Sequence, residues 1–234
     1  MSGRDQILAG IRRSLNRGAL DEATVATLRG GLAAPRRNLI PARATILDAE
    51  GRAALFRSMA EEVAATVEPI ATLDAVPAAV ADYLARLNLP PTVVAAPDPQ
   101  LAAIPWDKRP LLTVRQGRVE DADPVAVTAC FAGIAETGTL MLLSGPESPT
   151  RNNFLPDTHI VVMRKSQIVG TYEEAWTKLR ARHGAGNWTM PRTVNFITGP
   201  SRTADIEQRV ELGAHGPRRL HIILVEDGDG ASQG

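Results

Sequence analysis

The stretch RTVNFITGPSRTADIEQRVELGAHGPRRLHIILVED, residues 192–227, decides how this chain is read. It opens on an apolar, β-branched run, Thr193, Val194, Phe196 and Ile197, which predicts a strand. Gly199 and Pro200 break that run, and Ser201, Arg202 and Thr203 follow as small hydroxyls around one guanidinium. Asp205 and Glu207 then stand where the first turn of a short helix would put them, favoured there by the helix dipole. Gly213 stops that helix, His215-Gly216-Pro217 makes a second turn, and residues 220–225 predict another strand. A strand, a tight glycine turn and a helix N-terminus together present backbone N–H groups to an anion. The same residues also read as a plain turn, with Ser201 or Thr203 capping the helix.

Upstream, apolar runs alternate with helical periodicity. Residues 49–65 repeat Leu55, Phe56, Met59 and Val63 at helical spacing behind Asp48. A short strand is predicted at 66–70, a helix at 74–87, strands at 92–96 and 111–114, and a helix at 172–181. LMLLS (140–144) and THIVVM (158–163) are clear strand patterns, and 168–169 a shorter one, whereas periodicity leaves 125–134 open between strand and helical turn. Such alternation predicts an α/β domain with a mainly parallel sheet flanked by helices. Residues 1–47 read as a helical N-terminal arm, with Ile7, Leu8, Ile11 and Leu15 on one face and Ser2 and Asp5 as a capping pair. The domain then covers 48–227, and 228–234 read as a disordered tail.

Composition narrows the function classes. The 234 residues carry no net charge and only 4% aromatics, which removes the bulk attraction and the stacking platforms of nucleic-acid binding. No run is long enough to span a bilayer and no signal-peptide pattern opens the chain, so a cytoplasmic protein is expected. Cys130 stands alone, so this chain has no four-cysteine iron–sulfur set, and in its apolar setting it reads as a packed thiol. His159, His183, His215 and His221 lack zinc-motif spacing, and no metal site is expected. Phosphate-loop, dinucleotide and nucleophile-elbow patterns are absent.

The residues left to carry chemistry cluster in two motifs. Thr137-Gly138-Thr139 sets two hydroxyls around a residue that admits a close backbone approach, to a ligand or at a bulge. Glu136 beside it is a candidate catalytic acid, base or nucleophile, or else bonds nearby backbone amides or an arginine. Arg202 and Arg151 are candidates to grip a carboxylate or phosphate, because the guanidinium fork matches such oxyanions, and Asp205 is placed to orient Arg202. His215, in a glycine-flanked turn, is a candidate ligand contact or proton shuttle, and His159 opens a strand where it would line a cleft. The candidate binding set is thus Thr137, Gly138, Thr139, Arg151, Ser201, Arg202, Thr203 and Asp205, converging outside strand carboxyl ends.

TGPSRTADIE (198–207), GAHGP (213–217) and AETGTL (135–140) resemble the signatures of the lactate-utilisation (LUD) domain family, of the lactate-utilisation protein C type. The likeness is strong from about Ala126 to the end of the quoted stretch and weaker before it. It implies a fold like that of ribose-phosphate isomerases, glucosamine-phosphate deaminases and CoA transferases. It also implies a part in L-lactate oxidation to pyruvate, with electron transport through iron–sulfur clusters on partner subunits and no cofactor on this chain. Two alternatives stand beside it: a free-standing enzyme on a small anionic metabolite, and a binding or regulatory subunit.

Overall fold

The structure is a computed structural model that describes residues 2–16, 18–34, 39–183, 190–204, 210–213 and 215–226. The chain divides into two compact units, Met1–Leu39 and Ile40–Gly234. The first contains α1 (Gly3–Ser14) and α2 (Glu22–Ala33). Ser2 and Asp5 cap α1 reciprocally, as their spacing predicts, and the Asp21 carboxylate caps α2 by accepting from Thr24 N–H.

The second unit begins before the boundary read from the sequence. Within it, residues 40–47 include α3 (Ala42–Thr45), whose Ala44 is buried and whose Arg43 donates to the Glu136 carbonyl at 3.1 Å. Then follow α4 (Ala49–Glu62), β1 (Thr66–Ile70), α5 (Val76–Arg86), β2 (Thr92–Ala95), α6 (Pro99–Ala102) and β3 (Thr113–Gln116). The remainder runs β4 (Val125–Ala129), β5 (Ala132–Ile134), β6 (Thr139–Leu143), α7 (Arg151–Phe154), β7 (Thr158–Arg164), β8 (Ile168–Val169) and α8 (Tyr172–His183). Strands β9 (Val194–Ile197), β10 (Arg202–Ala204), β11 (Val210–Leu212) and β12 (Arg219–Val225) complete it.

Six strands form one parallel sheet in the order β1-β12-β7-β4-β2-β3. Its central strands are apolar in their interiors but for the buried Thr128, His159 and His221, because both faces are covered. In β12, Ile223 and Val225 face α5, while Leu220, Ile222 and Leu224 join Phe56 and Ala60 of α4 and Leu140 and Leu142 of β6. Strand β7 splits the same way, with Ile160 and Val162 on the α5 side and Val161 and Met163 on the other.

A second, mixed sheet, β8-β5-β6-β9, supplies part of that cover. Its other face packs Ala132, Ile134 and Met141 on Ala175 and Leu179 of α8. The ambiguous segment 125–134 is therefore two strands in two different sheets, parted only by Cys130 and Phe131.

The segment after Ser201 corrects the sequence reading. Residues 202–204 and 210–212 are strands β10 and β11, paired antiparallel with Thr203 opposite Glu211, so the last turn before Gly213 is strand where a helix was expected. Asp205 and Glu207 lie outside the described residues. Gly213, at φ +87°, ends a strand rather than a helix. Its N–H donates to the Ser201 carbonyl, and Ser201 N–H donates to the Pro217 carbonyl, so both ends of the hairpin are tied at Ser201.

Candidate functional site

A cavity of about 260 Å³ lies between the TGPSR segment, the GAHGP turn and α7. Thr198, Ser201, Arg202 and His215 line it, with Asn153 and His159 at its buried end. His159 and Leu220 are the second residues of β7 and β12, so the cavity opens at the amino-terminal end of the parallel strands. The expectation of a site outside strand carboxyl ends holds only for β9, whose last residue is Ile197. The reason is the short link from β9 into the hairpin, which folds the quoted motif back over the start of β12.

The chemistry of the wall is set by two buried side chains. Asn153 is 1% exposed, and neither its Oδ1 nor its Nδ2 has a hydrogen-bond partner among the described residues. His159 is fully buried, its Nε2 2.7 Å from Thr128 Oγ1 and its Nδ1 without a partner among the described residues. Burying unpaired polar groups costs about 1–3 kcal/mol each, so these atoms look to whatever fills the adjoining cavity, water or ligand, for their partners. Burial drives the His159 pKa down to about 3, which keeps the imidazole neutral. A neutral ring offers Nδ1 as donor or acceptor according to the tautomer that Thr128 selects.

The outer wall is held differently. Ser201 Oγ accepts from His215 N–H at 3.3 Å, which places the exposed His215 beside the cavity. Arg202, also exposed, begins β10 and lines the same opening. Thr203 lies in β10 one residue on. Gly199 has φ +76°, and a Cβ there would meet the Val63 carbonyl, so only glycine makes this turn.

The AETGT motif meets this region without lining it. Thr139 Oγ1 lies 2.6 Å from Thr198 Oγ1 and 2.7 Å from Thr137 Oγ1. Tyr172 Oη reaches Thr139 and Thr137 at 3.0 and 3.1 Å, which closes a hydroxyl network behind the cavity wall. Gly138, at φ +64°, admits helix α4 rather than a ligand, since a Cβ would strike Ala60 N. Glu136 is buried, and its carboxylate accepts Tyr172 N–H at 3.0 Å in the first turn of α8. Arg151 pairs with Asp121 and faces a different cleft beside Arg118 and Pro146.

Asn153, Tyr172 and Thr198 are the participants that sequence reasoning passed over. Thr198 stands inside the quoted motif, but a threonine at a strand end carries no sign that it bridges to Thr139. Among the described residues no group of three His, Cys, Asp or Glu side chains is placed to hold a metal ion. No helix among them is long and apolar enough to cross a membrane.

Residues 114–225, which hold the TGPSR and GAHGP walls of this cavity, match the LUD domain family model. The chain resembles that family over this span. Its similarity is to lactate utilization protein C. The protein of that name from Bacillus subtilis is 38% identical over 103 residues, 44% of this chain and 42% of the relative. That from Halalkalibacterium halodurans is 36% identical over 124 residues, 52% of each. The chain thus matches about half the length of these relatives. Among solved structures, a DUF162 family protein from Deinococcus radiodurans superposes with a TM-score of 0.54 at 25% identity. That match covers 76% of this chain and 99% of the other.

Proposed function

We propose that this protein takes part in lactate utilisation and that the cavity at Asn153 and His159 binds a small 2-hydroxy or 2-oxo carboxylate. The observation that carries the reading is the pair of buried, unpartnered polar groups in one wall with Arg202 at the mouth. A three-carbon hydroxy acid supplies what they lack. Its carboxylate accepts from Arg202 and from Asn153 Nδ2, and its hydroxyl bonds Asn153 Oδ1 or His159 Nδ1. His159 resists protonation, so it orients the hydroxyl and does not take its proton.

The reaction we assign to the system is oxidation of L-lactate to pyruvate, with the two electrons leaving through iron–sulfur clusters on partner subunits. This chain's single cysteine supports the need for partners, since a cluster commonly takes four thiolates. Within that assembly the chain binds and orients substrate, as a soluble component. Calorimetric titration with L-lactate and pyruvate tests the first half. Binding that is lost in both Asn153→Ala and Arg202→Ala is the expected result, and no binding by the native chain ends the proposal. Lactate-dependent dye reduction tests the second half: the lone chain should be colourless and inactive, and cluster-bearing partners should restore turnover.

A further inference from the structure

A second cavity, about 630 Å³, lies at the opposite end of the parallel sheet. Ala129, the last residue of β4, lines it, together with Asp98 just beyond β2 and Gln167 beyond β7. This is the carboxyl edge at which open α/β sheets bind ligands. None of the residues assigned to the lactate cavity borders it.

Two cations and two carboxylates line it. Lys178 and Arg182, one turn apart on α8, form one wall, each cation 5.8 Å from the centroid of the Phe131 ring. Like charges at this spacing repel. Among the described residues no carboxylate stands within ion-pair distance of Lys178, and burial lowers its pKa. Cys130, also in the wall, cannot serve as counter-ion, because burial pushes its thiol up to about 12 and it stays neutral. Lys178 therefore lacks an anion among the described residues, while Arg182 stands near enough to Asp98 to act on its carboxyl. Asp98 and Glu147 line the cavity as well. Burial raises the Asp98 pKa, Glu147 raises it further, and Arg182 opposes the rise.

A ligand that answers both groups carries negative charge for the cations and hydrogen-bond donors for the carboxylates. We propose that this cavity binds a nucleotide, its phosphates on Lys178 and Arg182 and its ribose hydroxyls or base amino group toward Asp98 and Glu147. The guanidinium fork and the ammonium suit phosphate oxygens, and carboxylates accept from sugar hydroxyls. The volume lies in the range of sites for ligands of this size and exceeds what a three-carbon acid would fill.

Titration of the full chain with ADP, inorganic phosphate and ribose 5-phosphate is the test. ADP should bind, and more tightly than either smaller probe. Lys178→Met and Arg182→Met should each weaken ADP roughly tenfold or more, the scale of one lost charge-assisted contact, and Lys178→Arg should recover part of the loss. Asp98→Asn should weaken ADP while leaving inorganic phosphate unchanged. Lactate affinity should be the same in all four variants, which shows that each is folded and separates this site from the other. Absence of ADP binding, indifference to both cation variants, or ribose 5-phosphate binding as tightly as ADP would overturn the assignment.

Discussion

Thr139 and Thr198, fifty-nine residues apart in the chain, bring their hydroxyl oxygens to 2.6 Å across the β6–β9 pair. One opens the AETGT strand and the other enters the cavity wall, so this contact joins the two sequence motifs. The link is a coupled network, since Thr139 also meets Thr137 and Tyr172. Replacing Thr139 by Val should lower unfolding free energy by about 1–3 kcal/mol, because it strands hydroxyls in a buried setting. A double-mutant cycle with Thr198→Val should show a coupling of about 0.5–3 kcal/mol in denaturant titrations. Strict additivity would mean that the two motifs merely lie side by side.

Gly138→Ala should be severely destabilising, by well over about 1 kcal/mol, because it combines a positive φ with a collision against the α4 backbone. Gly145→Ala is the control. A Cβ there meets nothing within 4 Å, and its melting temperature should stay near that of the native chain.

Acid should weaken the fold through two histidines. Burial holds the His159 pKa at about 3, and burial together with Arg86 holds that of His221 at about 4, both below the ordinary 6.5. His221 stacks on Tyr83 at 3.9 Å and keeps its Nδ1 on Thr66 Oγ1 at 2.8 Å. The unfolded chain binds these protons first, so stability is full above pH 6.5 and falls as pH drops toward 3 to 4. The slope should approach about 1.4 kcal/mol per pH unit for each histidine inside its window. Chemical denaturation from pH 7 to 4 measures it, and His159→Gln should flatten the curve.

Asn153→Leu should part stability from binding. It removes two unpartnered polar atoms from a buried position, so the ligand-free protein should be as stable as the native one or gain about 1 kcal/mol. Lactate binding should vanish in the same protein. A large loss of stability would mean that the amide is part of the packing rather than of the site.

The parallel sheet was legible because β7 and β12 are buried on both faces and therefore read as β-branched, largely apolar runs, each broken by one histidine. The mixed sheet was not, since Ala132–Ile134 and Ile168–Val169 are too short for a period to show. The stretch from Asp205 to Leu212 read as helical from its acidic positions, yet residues 210–212 pair as a strand with 202–204, and Gly213 N–H is tied to the Ser201 carbonyl, a longer-range constraint that no local pattern carries. Arg202, Ser201 and His215 were found because small and turn-forming residues around a lone guanidinium stand out. Asn153 gave no signal, because an asparagine in a polar loop looks the same whether it faces water or is 1% exposed beside a cavity.

Strand β12 occupies the second position in the six-stranded sheet, between β1 and β7, although it is the last described strand to emerge in sequence. Thr66 and His221, which meet across β1 and β12, are separated by 155 residues. Until β12 arrives, β1 has no place in the sheet, and the edge of β7, with Ile160 and Val161, stays open to solvent and to other chains. A domain whose sheet is completed by such a distant segment folds late and slowly. Its nascent form presents a hydrophobic edge throughout that delay, so yield during synthesis should depend on chaperones and low temperature more than the finished structure would imply.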